Sequence, residues 1–493
     1  MTDQSDRSAS VARSLLWSSV AAVSRQAAQF VTLVWITRLV TPRDVGLAAI
    51  ALAVTAFGQV FTDLGLGAAV IQSNDVSDSF LATSFWINAG SGAVLCALTS
   101  VGGLLVARIY REPALFGLLS LASLTLLLSL GNVPMAVLER EMRFRPIAVI
   151  EAGSFVLGGA VGIVAAAAGL GATSLVLAPV ATTVFGSFAF WIVAPLPRVR
   201  LWNWGDAREI TRFVWGIVGF NSVNYWARNA DNLIVGRVET ATVLGYYARA
   251  YQVMLLPIYQ VGAVVSRVLL PTLARKRDST GALEAAWLWA IRLSWVIGLP
   301  LAVVACVGGT PLVMVLFGER WRSAGIFVSI LALAIPAQLL SRTIGAVFQA
   351  IGKTALHFRV GLLGSASLVG LMLLGATRGA RGVAVSVAAG LSLNAVIGLV
   401  ATLKVIDVRA RDLLRTLFPA ALAAMAMATC VIPLRFALSE VAPFLLLVAE
   451  GLVGLVSYAL MLRLLDPRGF RAAVTVITGR HAVRGRLVVE DLP

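Results

Sequence analysis

Apolar runs long enough to cross a bilayer (about 20 residues) recur fourteen times along this chain, separated by short charged or proline-flanked breaks. They fall near 14–37, 45–70, 80–107, 114–138, 146–168, 173–195, 211–236, 242–270, 284–308, 323–350, 354–377, 382–405, 412–437 and 441–465. The runs are continuous and rich in Leu, Ala, Val and Gly, unlike the short alternating segments of a strand barrel. The pattern predicts an all-helical integral membrane protein. The longest break, about 196–210, leaves no room for an extramembrane catalytic domain. Arg25 interrupts the first run, which continues to Val40 without a cleavage site, so it reads as a retained helix and not a signal peptide.

Polar positions inside the runs repeat. Arg25, Gln29 and Thr32 form a stripe on the first helix, and 199 positions later Asn224, Arg228 and Asp231 form another on the seventh. The same offset aligns Arg38 with Arg237, Thr41 with Thr240, Gly46 with Gly245, Ala49 with Ala248 and Ala51 with Ala250, five identities in 14 positions. Spacings of three and four put such side chains on one helix face. A charge in mid-membrane costs about 2.5–3.5 kcal/mol on the mildest scale, so matching charged stripes point to cavity-lining faces and a transporter with a cationic interior. Six spans separate the counterparts, an even number, so both halves enter the membrane in the same sense. The expected organisation is a tail over 1–13, a six-helix bundle over 14–206, a second over 207–405, a helix pair over 406–465 and a basic tail over 466–493. The proline- and arginine-bearing segment 196–212 would link the bundles.

Composition supports the membrane reading: 59% of the 493 residues are hydrophobic and 13% charged, against roughly 25% charged in soluble domains. The net charge of +16 does not imply nucleic acid, because of where it falls. With the N-terminus inside, cytoplasmic segments collect 24 Lys/Arg and external loops 10. This is the positive-inside bias, and it places both termini in the cytoplasm. Segment 71–79 dissents, with Asp75 and Asp78 and no basic residue. Cys96, Cys306 and Cys430 lie singly in different spans and read as packing residues. The two histidines are at loop or tail positions, so no metal site and no cofactor is expected.

The seventh helix is the most polar, with Asn221, Asn224, Tyr225, Arg228, Asp231 and Asn232 in the three-four rhythm. Arg228 could hold phosphate, since its planar fork donates two parallel hydrogen bonds. Its bland alternative is neutralisation by Asp231. Arg25, with Gln29 beside it, is about eleven residues from either end of its span, too deep for snorkelling, and Asp63 on the second helix is its expected partner. Arg249 with Gln252 and Tyr259, and Arg342 with Gln338 and Gln349, give two further stripes, Arg342 the deeper and Arg249 near the outer interface. Arg267 and Arg292 read as interfacial anchors, and Glu151 as a carboxylate favoured at a helix N-terminus. Glu450, in the middle of the last span, fits none of these roles. Candidate substrate-binding residues are therefore Arg25, Gln29, Asn221, Asn224, Arg228, Arg249 and Arg342, with Asp63 and Asp231 as candidate carriers of a coupling proton or sodium ion.

Four motifs carry a family resemblance: Asp63-Leu-Gly-Leu-Gly-Ala-Ala-Val-Ile-Gln72, Leu138-Glu-Arg-Glu-Met-Arg-Phe144, Asp231-Asn232 with Gly236-Arg237, and Gly245-Tyr-Tyr-Ala-Arg-Ala250 followed by Pro257 and Pro271. Over roughly residues 10–465 the chain resembles the polysaccharide (O-antigen or exopolysaccharide) flippases, Wzx-type, of the multidrug/oligosaccharidyl-lipid/polysaccharide exporter superfamily. The resemblance implies two six-helix lobes in a V, alternating access, and a polyprenyl-diphosphate-linked oligosaccharide moved from the cytoplasmic to the outer leaflet of the bacterial inner membrane. It also implies a polysaccharide polymerase and chain-length regulators as partners. A membrane potential of 100 mV, positive outside, would favour outward movement of each net negative charge by about 2.3 kcal/mol. Two other classes compete: a multidrug/cation antiporter of the same fold, which needs acidic or aromatic cavities, and a membrane saccharide polymerase or glycosyltransferase, which needs a large external loop or an acidic metal motif.

Overall fold

A computed structural model describes residues 25–62, 66–73, 76–194, 202–275, 280–406, 408–438 and 440–477. Every regular element among them is helical. After α1 (25–39) come α2 (Pro42–Thr62), α3 (Leu66–Gln72), α4 (Asp78–Tyr110), α5 (Ala114–Leu127), α6 (Asn132–Arg140), α7 (Phe144–Ala167), α8 (Ala172–Val193) and α9 (Trp204–Val238). There follow α10 (Ala241–Arg275), α11 (Thr280–Val307), α12 (Gly309–Phe317), α13 (Ala324–Ala332), α14 (Ile335–Ala350), α15 (Thr354–Ala376), α16 (Gly379–Ile406), α17 (Ala410–Ala437), α18 (Pro443–Leu465) and α19 (Pro467–Ile477).

Where they are described, the expected runs are helical. Among the described residues ten spans are long and apolar enough to cross a membrane, with α5 and α6 joined as one, and the bent pair α13–α14 makes an eleventh. The remaining three are α1, α9 and α10, which carry the polar stripes. The protein is a multi-pass, all-helical membrane protein. By internal contacts it divides between Gly245 and Tyr246, so α9 packs with the first unit, 39 residues beyond the boundary expected after 206. Of the expected linker, residues 196–201 lie outside the description.

In the first unit, α1 and α7 run parallel in constant register. Arg25 meets Glu151, Thr32 lies where a Cβ on Gly159 would sit, and Ile36 lies against Gly162; the sequence separations are 126, 127 and 126. Small residues let the two backbones approach, as close helix packing in lipid requires. A reciprocal capping pair starts α2: the Thr41 backbone N–H donates to Asp44 Oδ2 (2.9 Å) and the Asp44 N–H to Thr41 Oγ1 (3.2 Å). Arg43 pairs with Glu112 at 2.7 Å, tying that end of α2 to the end of α4. Arg140 at the end of α6 donates to the carbonyls of Val70 (2.8 Å) and Ser73 (2.6 Å), closing the C-terminus of α3, whose last carbonyls have no partner within the helix.

Two glycines of the repeat make one contact twice. A Cβ on Gly46 would overlap the carbonyl oxygen of Ala241, and a Cβ on Gly245 would overlap that of Pro42. Pro42 and Ala241 are themselves 199 residues apart, as Gly46 and Gly245 are. The first turns of α2 and α10 therefore cross backbone to backbone.

In the second unit α11 is central. Tyr458 on α18 donates to the carbonyl of Val296 (2.9 Å), and Val296 packs with Ala423, Met427 and Val431 of α17. α13 and α14 meet at a 48° bend. Pro336, near the start of α14, has no N–H to return to the carbonyl four residues earlier. Asp466 performs two tasks between α18 and α19: Oδ1 accepts from the Gly469 N–H at 2.9 Å and Oδ2 lies 3.3 Å from Arg292. Arg292 is thus an ion-pair partner joining α11 to the last helices, in addition to the interfacial role its position implied. α19 turns Phe470 and Ala473 into the α11–α17–α18 core while Arg468 and Arg471 remain exposed. Asp466→Ala removes the cap, about 1 kcal/mol, together with the pair. A lower unfolding temperature of the detergent-solubilised protein is expected, with Arg471→Ala unchanged.

Candidate functional site

Each unit presents one polar face. In the first, Arg25 Nη1 lies 3.2 Å from Glu151 Oε2 and 3.3 Å from Oε1, with the two side chains 40% and 26% exposed. The expected partner Asp63 is outside the described residues. Glu151 is the eighth residue of α7, more than a turn beyond the N-terminal positions where the helix dipole would favour it. The dipole explanation therefore gives way to a specific ion pair. Pro146, a first-turn residue, already marked where the helix begins. Gln29, one turn along from Arg25, is exposed. The pair reduces the positive surplus anticipated for this face, because Arg25 no longer acts as an isolated charge.

α9 is fastened to the same unit by tyrosine hydrogen bonds and aromatic packing. Tyr225 donates to the carbonyl of Ala53 on α2, and the Asn229 amide donates to the carbonyl of Tyr225 at 3.0 Å. Tyr110 of α4 donates to the carbonyl of Leu233 at 3.1 Å. Phe57, Tyr225 and Trp226 form an aromatic group with centroids 4.8–6.1 Å apart, which periodicity alone did not single out. Asp231 is fully buried, and its Oδ1 accepts from the Asn232 N–H at 2.8 Å. The polar stripe of the seventh span thus includes residues that hold the helix in place. The side chains of Asn221, Asn224, Arg228 and Arg267 lie outside the described residues.

The second unit carries Arg249 and Arg342. Arg249 is 4% exposed; its Nη1 donates to Gln252 Oε1 at 2.6 Å, while its Nε has no hydrogen-bond partner. Among the described residues no carboxylate pairs with it. It is therefore buried within the protein. Arg342 is the exposed one. Its guanidinium carbon sits 5.0 Å from the centroid of the Tyr259 ring, a cation–π contact of about 0.5–1 kcal/mol where solvated. Gly262 makes room for it, since a Cβ there would approach Arg342 Cδ to 2.9 Å. Gln252, Tyr259, Arg342 and Gln349 are all exposed on α10 and α14. The chemistry of this face is guanidinium, amide and phenol, suited to phosphate oxygens and sugar hydroxyls.

Helices of this number and length make a multi-pass membrane fold, with arginine side chains in both units. The structure is similar to the lipid II flippase MurJ in an inward closed conformation, with a TM-score of 0.75 at 16% identity over 91% of this chain and 98% of that one. It is also similar to an inward-facing multidrug resistance MATE family transporter of the MOP superfamily, at 0.60 and 18% identity over 78% and 94%. In sequence it is 25% identical to the lipopolysaccharide biosynthesis protein WzxC of Escherichia coli (strain K12) over 70% of each chain. It is likewise 25% identical to the teichuronic acid biosynthesis protein TuaB of Bacillus subtilis (strain 168) over 69% and 71%, and 23% identical to the succinoglycan biosynthesis transport protein ExoT of Rhizobium meliloti (strain 1021) over 75% of each. A family profile described as "Polysaccharide biosynthesis protein" matches residues 35–325, more than half of the 493 residues. The chain belongs to this family.

Proposed function

We propose that this protein is a flippase, and not an enzyme, that moves polyprenyl-diphosphate-linked oligosaccharide from the cytoplasmic to the outer leaflet of the bacterial inner membrane, with both termini cytoplasmic. The single observation that carries the cargo's charge is Arg249, a buried guanidinium beside Gln252 with no carboxylate pairing with it among the described residues. Family membership adds the saccharide. Arg25, Gln29, Asn221, Asn224, Arg228, Arg249 and Arg342 are the residues proposed to engage diphosphate and sugar by alternating access, with Asp63 and Asp231 as candidate ion carriers. The lipid tail remains in the bilayer. The outward positive potential acts in the transport direction on an anionic headgroup. A polymerase and chain-length regulators would act on the product at the outer face.

The test is a deletion strain. Lipid-linked intermediate should accumulate facing the cytoplasm, and surface polysaccharide should disappear; intermediate that still reaches the outer leaflet would overturn the proposal. The Phe57–Tyr225–Trp226 group and the MATE-like fold favour a cation antiporter as second reading. Raised drug sensitivity of the same strain, with normal polysaccharide, would support that reading instead.

Arg25 separates cargo binding from packing. Arg25→Ala should abolish export at unchanged protein level, and so should Arg228→Ala. The charge-reversed double variant Arg25→Glu/Glu151→Arg restores the ion pair but not the position of the guanidinium, so export should stay absent. Recovery of export in that double variant would reduce Arg25 to a structural partner of Glu151.

A further inference from the structure

Glu450 lies in α18, outside every polar face described above. It is 0% exposed, and neither of its carboxyl oxygens has a hydrogen-bond partner among the described residues. As the eighth residue of α18, it sits about 10 Å from the N-terminal end of the helix at 1.5 Å per residue. Its Oε2 is 2.7 Å from the point where a Cβ on Gly308 would stand, with the carbonyl oxygen of Val304 2.8 Å and Leu447 Cδ1 3.5 Å from that same point. Gly308 is the joint between α11 and α12. Its missing side chain is what admits the carboxyl group.

The backbone ladder is interrupted at this joint. The Gly308 N–H donates to the Val304 carbonyl at 2.7 Å, and Pro311 has no N–H to return to the carbonyl of Val307. α12 contributes no charged side chain. Arg435, near the end of α17, forms no ion pair with Glu450 among the described residues. Cys306 is the titratable group of α11 nearest to the joint in sequence, whereas Arg292 of α11 is engaged with Asp466. Arg411, Asp412 and Arg415 belong to the opposite end of α17, and Tyr458 of α18 is committed to Val296. Arg463 of α18 and the exposed arginines of α19 belong with that distant end as well.

An ionised carboxylate removed from water with no partner is unfavourable enough that the group binds a proton instead. A metal ion would need several oxygen ligands, and no cluster of three or more His, Cys, Asp or Glu side chains that could hold one occurs among the described residues.

We propose that Glu450 is a proton-binding site of the C-terminal helix pair. It holds one proton while α18 lies against the α11–α12 joint and gives it up to water, as carboxylate and hydronium, when that contact opens. Closure of the joint takes a proton back from water. Use of this proton to drive transport rests on the flippase reading; the site itself does not.

The experiment uses full-length protein reconstituted in lipid vesicles. The infrared difference spectrum of wild type minus Glu450→Gln should contain, at neutral pH, the carbonyl stretch of a protonated carboxylic acid without a hydrogen bond. Identical spectra in that region would overturn the proposal. Should Glu450→Gln fail to accumulate, wild type alone decides: a carboxylic-acid band lost at strongly alkaline pH supports the site, and a spectrum with no such band removes it. A second arm follows movement of a lipid-linked saccharide into the vesicles under an imposed pH gradient. Wild type should speed up several-fold with the gradient, and Glu450→Gln should lose that response while retaining the gradient-free rate. An unaltered response in Glu450→Gln would overturn the coupling. Failure of the spectral arm leaves the flippase reading standing, whereas absence of any saccharide movement in wild type counts against the flippase reading alone.

Discussion

Gly245→Val should leave almost no folded protein in the membrane, and export should fall with it. The added side chain would overlap the Pro42 carbonyl, and the neighbouring Gly46 nitrogen is also within 3.2 Å of the new Cβ. Overpacking typically costs 1–3 kcal/mol when side chains can yield. Here the obstacle is helical backbone, whose movement would break the first turn of α2, so the cost is expected at about 3 kcal/mol or above. That is a large share of a net stability of about 5–15 kcal/mol. Gly46→Val should behave alike, because it meets Ala241 in the matching contact. Gly451→Ala is the control: nothing lies within 4 Å of its new Cβ. Membrane abundance and unfolding temperature check all three, and wild-type abundance of Gly245→Val would contradict the crossing.

Arg249→Met should abolish export while leaving abundance unchanged and stability equal or higher. The opposite signs are what make the prediction useful. A buried guanidinium with an unsatisfied Nε and no counter-ion among the described residues is a net cost to the fold, and an apolar side chain of similar length removes that cost. If Arg249 served packing alone, its loss would lower the unfolding temperature and leave transport proportional to abundance. Arg249→Lys keeps the charge but loses the planar fork, so only partial export is expected. Full export by Arg249→Met would exclude the residue from cargo binding.

Membrane class, helix content and the approximate place of the ten or eleven spans found among the described residues follow from apolar run length, since lipid enforces that signal at every residue. Which polar residues bind and which fasten could not be read the same way. Periodicity assigns a residue to a face, and a face becomes a cavity or a packing surface only through whatever covers it. Tyr225 and Asp231 share the stripe of the seventh span, yet one reaches a carbonyl of α2 and the other is enclosed. The burial of Arg249 and the exposure of Arg342 are hidden from the sequence for that reason: distance from the end of a span says nothing of neighbouring helices. The family motifs turn out to be joints. Arg140 of one motif closes the helix end that contains Val70 of another, and Gly245 opens a third where the chain must cross Pro42. Glu151 was visible as a charge inside a run but had no sequence-local partner, its arginine lying 126 residues away.

The bend between α13 and α14 gives Arg342 a mechanical property that a straight span would lack. α14 is sixteen residues long, a stiff rod of about 24 Å, hinged at one end where α13 stays enclosed in apolar surroundings. A change of about 10° at Leu333 and Ala334 would carry Gln349 by about 4 Å and Arg342 by about 2 Å. That is enough to lift a guanidinium off the Tyr259 ring, with every internal turn of the rod still intact.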